Sequence, residues 1–131
     1  MEPILVTAPE LLPVLEELQR REPIFHKPEF GSTTKDFEQM TDSAFWEVGA
    51  SGRRFSREFV LQVLGTRGPQ PEEATWVASG FHCQQIAPDN FLLTYSLQQR
   101  ARNTRRATIW RRTVDGWKII YHQGTIVTEG A

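Results

Sequence analysis

The sequence predicts an α+β fold in which helices come first and a long antiparallel meander of strands follows. Apolar residues recur at helical spacing in the first half of the chain, and from about residue 74 onward the apolar pattern changes to a period of two. Turn signals separate four strand candidates, at roughly 74–86, 91–100, 104–113 and 117–127. This order of elements is typical of the α+β class, and 131 residues fit one domain, 1–131.

The first helix has four apolar side chains at the spacing of one buried face: Leu11, Val14, Leu15 and Leu18. Thr7 and Glu10 have the spacing of a capping box, but Pro13 inside such a helix would cost about 3 kcal/mol. The helix therefore either kinks at Pro13 or begins later than the box indicates.

Two shorter helices and one strand are predicted between residues 33 and 65. Thr33 and Asp36 open the second helix, and Ser56 is placed to cap the third, which Gly65 is placed to end. Residues 44–48 are predicted as a strand, followed by a turn at residues 50–52.

The last two strands carry large apolar groups on both faces: Ile109 and Trp110 in one, and Ile119, Ile120 and Tyr121 in the other. A sheet with one face in water would alternate apolar and polar residues. Because the helices cover only one side, a symmetric partner on the outer face is the simplest cover, which predicts a homodimer.

Charge and composition exclude several classes of protein. The net charge is −1, with 4 Lys/Arg and 10 Asp/Glu in residues 1–50 and 11 and 6 in residues 51–131, so a nucleic-acid partner is not expected. No apolar run approaches the roughly 20 residues of a membrane span, and the N-terminus lacks the features of a signal peptide. A single cysteine, Cys83, is typical of a cytoplasmic protein.

Several motifs resemble those of the nuclear transport factor 2-like superfamily: Trp46-Glu47-Val48, Ser51-Gly52-Arg53, and the hairpin 105–124 with Trp110, Asp115-Gly116-Trp117 and His122. The chain is most similar to an uncharacterised branch related to the polyketide cyclase-like and ketosteroid isomerase-like groups, over about residues 10–127. The resemblance implies a cone-shaped, strongly bent sheet wrapped around the N-terminal helices, a pocket at its open end and a frequent homodimer. It implies no reaction, because isomerases, cyclases, dehydratases, transport adaptors and assembly domains share this scaffold.

Two residues are candidates for acid–base catalysis. His122 lies in the last strand, where a neutral imidazole could act as acid or base near pH 7, or could instead be a buried structural histidine at a dimer face. Glu47 follows Trp46, and a carboxylate against aromatic walls can have a raised pKa. A salt bridge with Arg53 or Arg54 across the turn is the favoured alternative for Glu47.

No metal or cofactor is expected. His26, His82, Cys83 and His122 could surround a zinc ion only in principle, since none of the usual ligand spacings is present. Neighbouring His82 and Cys83 would point to opposite faces of a strand. Nucleotide-binding and serine-hydrolase motifs are absent from the sequence as well.

Six arginines crowd the hairpin before the last strand: residues 100, 102, 105, 106, 111 and 112. Most are interpreted as a solvated edge that discourages aggregation, with Arg106 as the best candidate for binding an anionic ligand.

A pocket wall follows if Asp115-Gly116 is a two-residue turn. Trp110 then lies opposite Tyr121, and Thr108 opposite Gln123, on the inward face. The predicted ligand-binding residues are Trp110, Tyr121 and Gln123, with Arg106 near the rim and Tyr95 and Trp46 as neighbours. A bulge would shift the register and exchange His122 with Gln123, so both stay candidates.

These observations together favour a cytoplasmic homodimer that binds a small organic molecule in an aromatic-lined pocket and could act on it by cofactor-free acid–base chemistry, as an isomerase, cyclase or dehydratase. The alternative is a non-catalytic dimeric adaptor or accessory domain whose pocket is filled. An open cavity containing an ionisable group would favour the first hypothesis over the second.

Overall fold

The computed structural model describes residues 1–128. It contains three α-helices and one six-stranded sheet, and four of the six strands follow the last α-helix in the chain. The α-helices are α1 (Leu12–Arg20), α2 (Thr34–Met40) and α3 (Arg57–Thr66), with short 3₁₀ helices at Pro9–Leu11 and Pro71–Thr75. The strands are β1 (Thr41–Val48), β2 (Arg54–Ser56), β3 (Val77–Ala87), β4 (Asn90–Gln99), β5 (Arg102–Thr113) and β6 (Gly116–Ile126).

The sheet has the order β2-β1-β6-β5-β4-β3. Strands β3 to β6 form the predicted antiparallel meander, and β2 pairs antiparallel with β1. Strand β1 pairs parallel with β6, so the sheet is mixed. The predicted α+β class is confirmed, and the parallel pair brings the early strand β1 beside the last strand of the chain.

The start of α1 resolves the conflict between Pro13 and helix formation. The α-helix begins at Leu12, so Pro13 lies in the first turn, where its missing N–H costs no hydrogen bond. The capping box predicted from Thr7 does not form. Instead, the Thr7 hydroxyl accepts a hydrogen bond of 3.1 Å from the backbone N–H of Cys83 and ties the N-terminal segment to β3.

The other two helices begin where their caps predict. The Thr33 hydroxyl accepts from the backbone N–H of Asp36, whose carboxylate accepts from the N–H of Thr33, a complete capping box. Ser56 accepts from the N–H of Phe59 at 3.1 Å and opens α3.

The register of the last hairpin differs from the prediction at two points. Thr113 pairs with Gly116, so Val114 and Asp115 occupy the turn, and Trp110 lies opposite Ile119. The partner of Trp110 is therefore Ile119 instead of the predicted Tyr121. Because the shift is two residues, each side chain before the bulge keeps the face of the sheet that was predicted for it. A β-bulge at Ile120 then adds one residue, and beyond it the inward and outward positions of β6 are exchanged.

The inner face of the sheet supplies most of the core. Its alternating residues on β4 are almost fully buried, as are Trp110 on β5 and Ile119 on β6. These side chains pack with Leu18 from α1, Phe37 from α2 and Val60 from α3. Within residues 1–128, no helix is both long enough and apolar enough to cross a bilayer.

Candidate functional site

A cavity of about 450 Å³ lies between the inner face of the sheet, helix α3 and the segments 23–26 and 67–76. Its apolar wall includes Phe25, Phe55, Phe59, Val63, Leu64 and Trp76. Ionisable side chains also line it: His26, Glu47, Arg67, Tyr95, Arg102, Arg106 and His122. The cavity therefore combines a large apolar surface with a few polar groups, the usual composition of a small-molecule site.

Glu47 lines the cavity from β1, opposite His122 of β6 in the parallel register. The expected salt bridge with Arg53 or Arg54 is absent from the described residues, and the Arg53 guanidinium lies over the Phe55 ring instead. Burial raises the pKa of Glu47, and the positive charge of Arg106 partly opposes the rise. The protonated and ionised forms of Glu47 are therefore closer in free energy than for an exposed glutamate.

His122 is 2% exposed, and both of its ring nitrogens have polar neighbours. Nδ1 lies 2.7 Å from Thr108 Oγ1, and Nε2 lies 3.5 Å from Nη1 of Arg106. Because arginine can only donate, Nε2 is the acceptor and Nδ1 carries the proton. Burial first, then the charges of Arg106 and His26, lower the pKa of His122 to about 3, so the ring is neutral at physiological pH.

Arg106 is half-buried on β5 and reaches across β6. Its Nε donates to Thr104 Oγ1 at 2.9 Å, and Nη2 lies 3.5 Å from Gln99 Oε1. Gly124 is its register partner, and a Cβ there would lie 3.5 Å from the Arg106 Cζ. The guanidinium therefore lies against the backbone of β6 at this position.

A fully buried acidic residue, Glu22, lies behind the cavity wall and binds Tyr95, which lines the cavity. Tyr95 donates to its Oε1 at 2.7 Å, and Trp110 Nε1 donates to its Oε2 at 3.0 Å. The backbone N–H of Ile24 also donates to Oε1, at 3.2 Å. Burial raises the pKa of Glu22, while donors that include the Thr108 hydroxyl oppose the rise. Glu22 thereby links Tyr95, which lines the cavity, to Thr108, which holds His122.

His26 lies on the opposite wall and pairs with Glu73 from the second 3₁₀ helix. Its ring also contacts Trp76 edge-on, with the ring centroids 4.9 Å apart. Burial lowers the pKa of His26, although the hydrogen bond that the ring donates to the Glu73 carboxylate works in the other direction. Among the described residues, no group of three or more histidine, cysteine or acidic side chains could hold a metal ion.

The structure places four of the predicted site residues at the cavity: Glu47, Tyr95, Arg106 and His122. The prediction that Tyr121 and Gln123 line it is wrong, because the bulge at Ile120 turns both to the outer face of the sheet. There the Tyr121 hydroxyl donates to Gln123 Oε1 at 2.6 Å.

The two predicted tryptophans also lie away from the cavity lining. Trp46 is on the outer face, where its ring centroid lies 4.8 Å from that of Tyr121. Trp110 faces inward as expected but lies in the packed core, 1% exposed, where its indole N–H donates to Glu22. Apart from Tyr95 on β4, the aromatic lining comes instead from residues of α3, β2 and the connecting segments.

Sequence reasoning missed Glu22 and the role of His26. The only signal for Glu22 in the sequence is its place before Pro23, Ile24 and Phe25, and that is weak, because a glutamate is rarely buried without a partner. His26 was weighed only as a metal ligand, because Glu73 is 47 residues away in sequence.

The six-stranded mixed sheet, the helices packed on one face of it and the cavity between them are typical of a nuclear transport factor 2-like fold. No protein-family model matches the sequence, and no curated protein sequence matches it either. Solved structures do. A protein with that fold name from Cytophaga hutchinsonii superposes with a TM-score of 0.63 at 12% identity, over 87% of this chain and 95% of that chain.

Two further structures show the same architecture. A cystatin-like fold protein from Burkholderia xenovorans has a TM-score of 0.68 at 13% identity, over 92% of this chain and 94% of that chain. A proposed ketosteroid isomerase from Parabacteroides distasonis has a TM-score of 0.61 at 17% identity, over 94% and 90%. At these identities the likeness shows the fold, which agrees with the resemblance seen in the sequence.

Proposed function

We propose that the protein binds a small organic molecule in the cavity between the sheet and α3. The observation that carries the proposal is the coexistence of a roughly 450 Å³ apolar cavity with several ionisable side chains directed into it. Half-buried polar groups such as Glu47 and Arg106 would only destabilise a filled core, because desolvating each of them costs free energy. The likeness in fold to a proposed ketosteroid isomerase is consistent with this proposal.

Within this proposal, Glu47 is the general base or acid and no cofactor takes part. Its raised pKa brings it nearer to the range in which a carboxyl group exchanges protons efficiently. His122 is a weaker candidate than the sequence indicated, because a ring with a pKa of about 3 is a poor base and is not protonated near pH 7. We assign His122 the role of a neutral hydrogen-bond acceptor that positions Arg106.

Binding is tested with the uncharged fluorescent probe N-phenyl-naphthylamine, which should gain fluorescence in the cavity. Val63→Trp should reduce binding, because Val63 lines the cavity and a larger side chain would fill it. Gln62→Trp is the matched control, since Gln62 is exposed on the same helix and does not line the cavity.

Equal binding by wild type and both variants would refute the cavity as the site. Absence of binding by the wild type, together with no small molecule in native mass spectrometry of the purified protein, would favour the non-catalytic adaptor. Once a carbonyl ligand is found, Glu47→Gln should abolish deuterium exchange at the carbon next to its carbonyl, whereas Glu58→Gln on the exposed side of α3 should not.

A homodimer through the outer face of the sheet is the second part of the proposal. Four apolar side chains lie in register across β1, β6, β5 and β4: Trp46, Tyr121, Ile109 and Leu92. Trp46 is 44% exposed although it is large and aromatic. A contiguous apolar row on a sheet face supports a self-complementary contact between two copies of the chain.

Sedimentation of Ile109→Glu tests the dimer. A glutamate in the middle of the row should dissociate it, because each copy would bury an unpaired charge. Ile86→Glu is the control, since Ile86 is 48% exposed on β3, outside the row. A wild-type protein that sediments as a 15.1 kDa species at micromolar concentration would rule the dimer out.

A further inference from the structure

The charged side chains that line the cavity are mostly basic. Three arginines, Arg67, Arg102 and Arg106, face one carboxylate, Glu47, and His122 is neutral. Among residues 1–128, no salt bridge joins any of these arginines to an acid. The cavity thus has an excess of positive charge that the protein itself does not neutralise, which favours an anionic occupant.

Arg106 is the arginine whose surroundings fit anion binding best. Arg67 donates to the backbone carbonyl of Phe25 at 2.6 Å, and Arg102 is exposed and donates to Gln99. Arg106 is half-buried, as Arg67 is, but it makes no hydrogen bond to a backbone carbonyl among the described residues, and burial lowers its pKa. The charges of Glu22 and Glu47 act on Arg106 only through space, because neither carboxylate forms a salt bridge with it among the described residues, so a bound anion would be its first direct ionic partner.

The hydrogen bonds of Arg106 leave its outer nitrogens available. A guanidinium has five N–H groups, and only the Nε bond to Thr104 is short, at 2.9 Å. The contacts of Nη1 with His122 and of Nη2 with Gln99 are both 3.5 Å, longer than an ordinary hydrogen bond. These contacts orient the guanidinium plane and leave N–H donors for the paired oxygens of a carboxylate.

The rest of the cavity is apolar. Phe59 and Val63 of α3 are about half-exposed beside it, and Phe55, Leu64 and Trp76 complete the wall. We propose that the cavity selects a small organic carboxylate, whose charged end binds Arg106 and whose hydrocarbon body packs against α3. The inference rests on the proposed function, since it names the class of ligand for the same cavity.

The test compares three probes of the same shape by calorimetry: hydrocinnamate, its uncharged amide, and the corresponding phenylpropylamine. The carboxylate should bind at least about tenfold more tightly than the amide, and the amine should bind most weakly. Arg106→Gln should abolish the preference for the carboxylate over the amide. Arg105→Gln should keep it, because Arg105 is the next residue of β5 but is exposed and bonded to Ser96 and Glu2.

The outcomes distinguish the proposal of a carboxylate ligand from the broader proposal that the cavity binds a small organic molecule. Equal binding of carboxylate and amide would overturn the inference and leave the small-molecule cavity intact. Failure of all three probes and of N-phenyl-naphthylamine would overturn both. A carboxylate preference that survives Arg106→Gln would refute the assignment to Arg106, and the wild-type comparison stands even if that variant does not fold.

Discussion

Replacing Tyr95 with phenylalanine removes one hydroxyl from the buried network around Glu22. The hydroxyl donates to Glu22 Oε1 at 2.7 Å, and Tyr95 is 3% exposed, so water cannot replace the lost bond. The ring of Tyr95 stacks on Phe81 with centroids 4.7 Å apart, and phenylalanine preserves that contact. The variant therefore isolates a single hydrogen bond.

We expect Tyr95→Phe to lower the free energy of unfolding by about 2 kcal/mol, the order of magnitude for a buried acceptor that loses one of its donors. Glu22 keeps the donors from Trp110 and Ile24, which limits the loss. With an m-value of about 2 kcal/mol/M, the urea midpoint should fall by about 1 M.

The matched control is Tyr121→Phe on the outer face. It also deletes a hydroxyl, which donates to Gln123 at 2.6 Å, but both residues are accessible to water. Its cost should stay below about 0.5 kcal/mol at the same protein concentration. A Tyr95→Phe variant as stable as the control would refute the view that Glu22 depends on this donor.

The stability of Tyr95→Phe should also depend on pH. The pKa of Glu22 in the folded protein lies above its ordinary value of 4.5, so ionising Glu22 costs stability as the pH rises from about 4.5 through the raised pKa. The Tyr95 donor opposes that rise in pKa, and its removal enlarges the cost. The difference between variant and wild type should therefore be smaller at pH 4 than at pH 8.

Three further predictions concern single residues. His122, with a pKa of about 3, should show no titration between pH 5 and 8 by NMR. As the pH falls below about 6.5, His122 becomes protonated in the unfolded chain but stays neutral in the folded protein, so the free energy of unfolding should decrease. Cys83 is 1% exposed with a pKa raised by burial, so a bulky thiol reagent should label it only on unfolding, and rapid labelling of the folded protein would contradict this. Ser56→Ala should cost about 1 kcal/mol in urea unfolding through loss of the α3 cap, and an unchanged midpoint would contradict that role.

Local signals predicted the elements of the fold well. The caps at Thr33 and Ser56 act within three residues, and the alternation in β4 reflects direct contact with the core. The parallel pairing of β1 with β6 was beyond such signals, because it joins residues more than 70 positions apart. The short strand β2 was missed for a different reason, because three residues carry too little periodicity to predict a strand.

The site was predicted only in part, because it depends on register and on long-range contacts. Glu47 could be singled out as a carboxylate beside Trp46, and Arg106 as the anion-binding candidate within the cluster of arginines; both line the cavity. The choice between His122 and Gln123 depended on a bulge, and Lys118-Ile119-Ile120-Tyr121 contains no residue that marks one. Glu22 became part of the network only through the folding of a helix end against β4 and β5.

The bulge at Ile120 also determines how related sequences should be aligned. Because Ile120 is the extra residue, deletion of its codon would straighten β6 and leave His122 facing inward. In an alignment, a gap opposite position 120 therefore preserves the site, whereas a fixed spacing counted from the Asp115-Gly116 pair assigns the wrong residue to it.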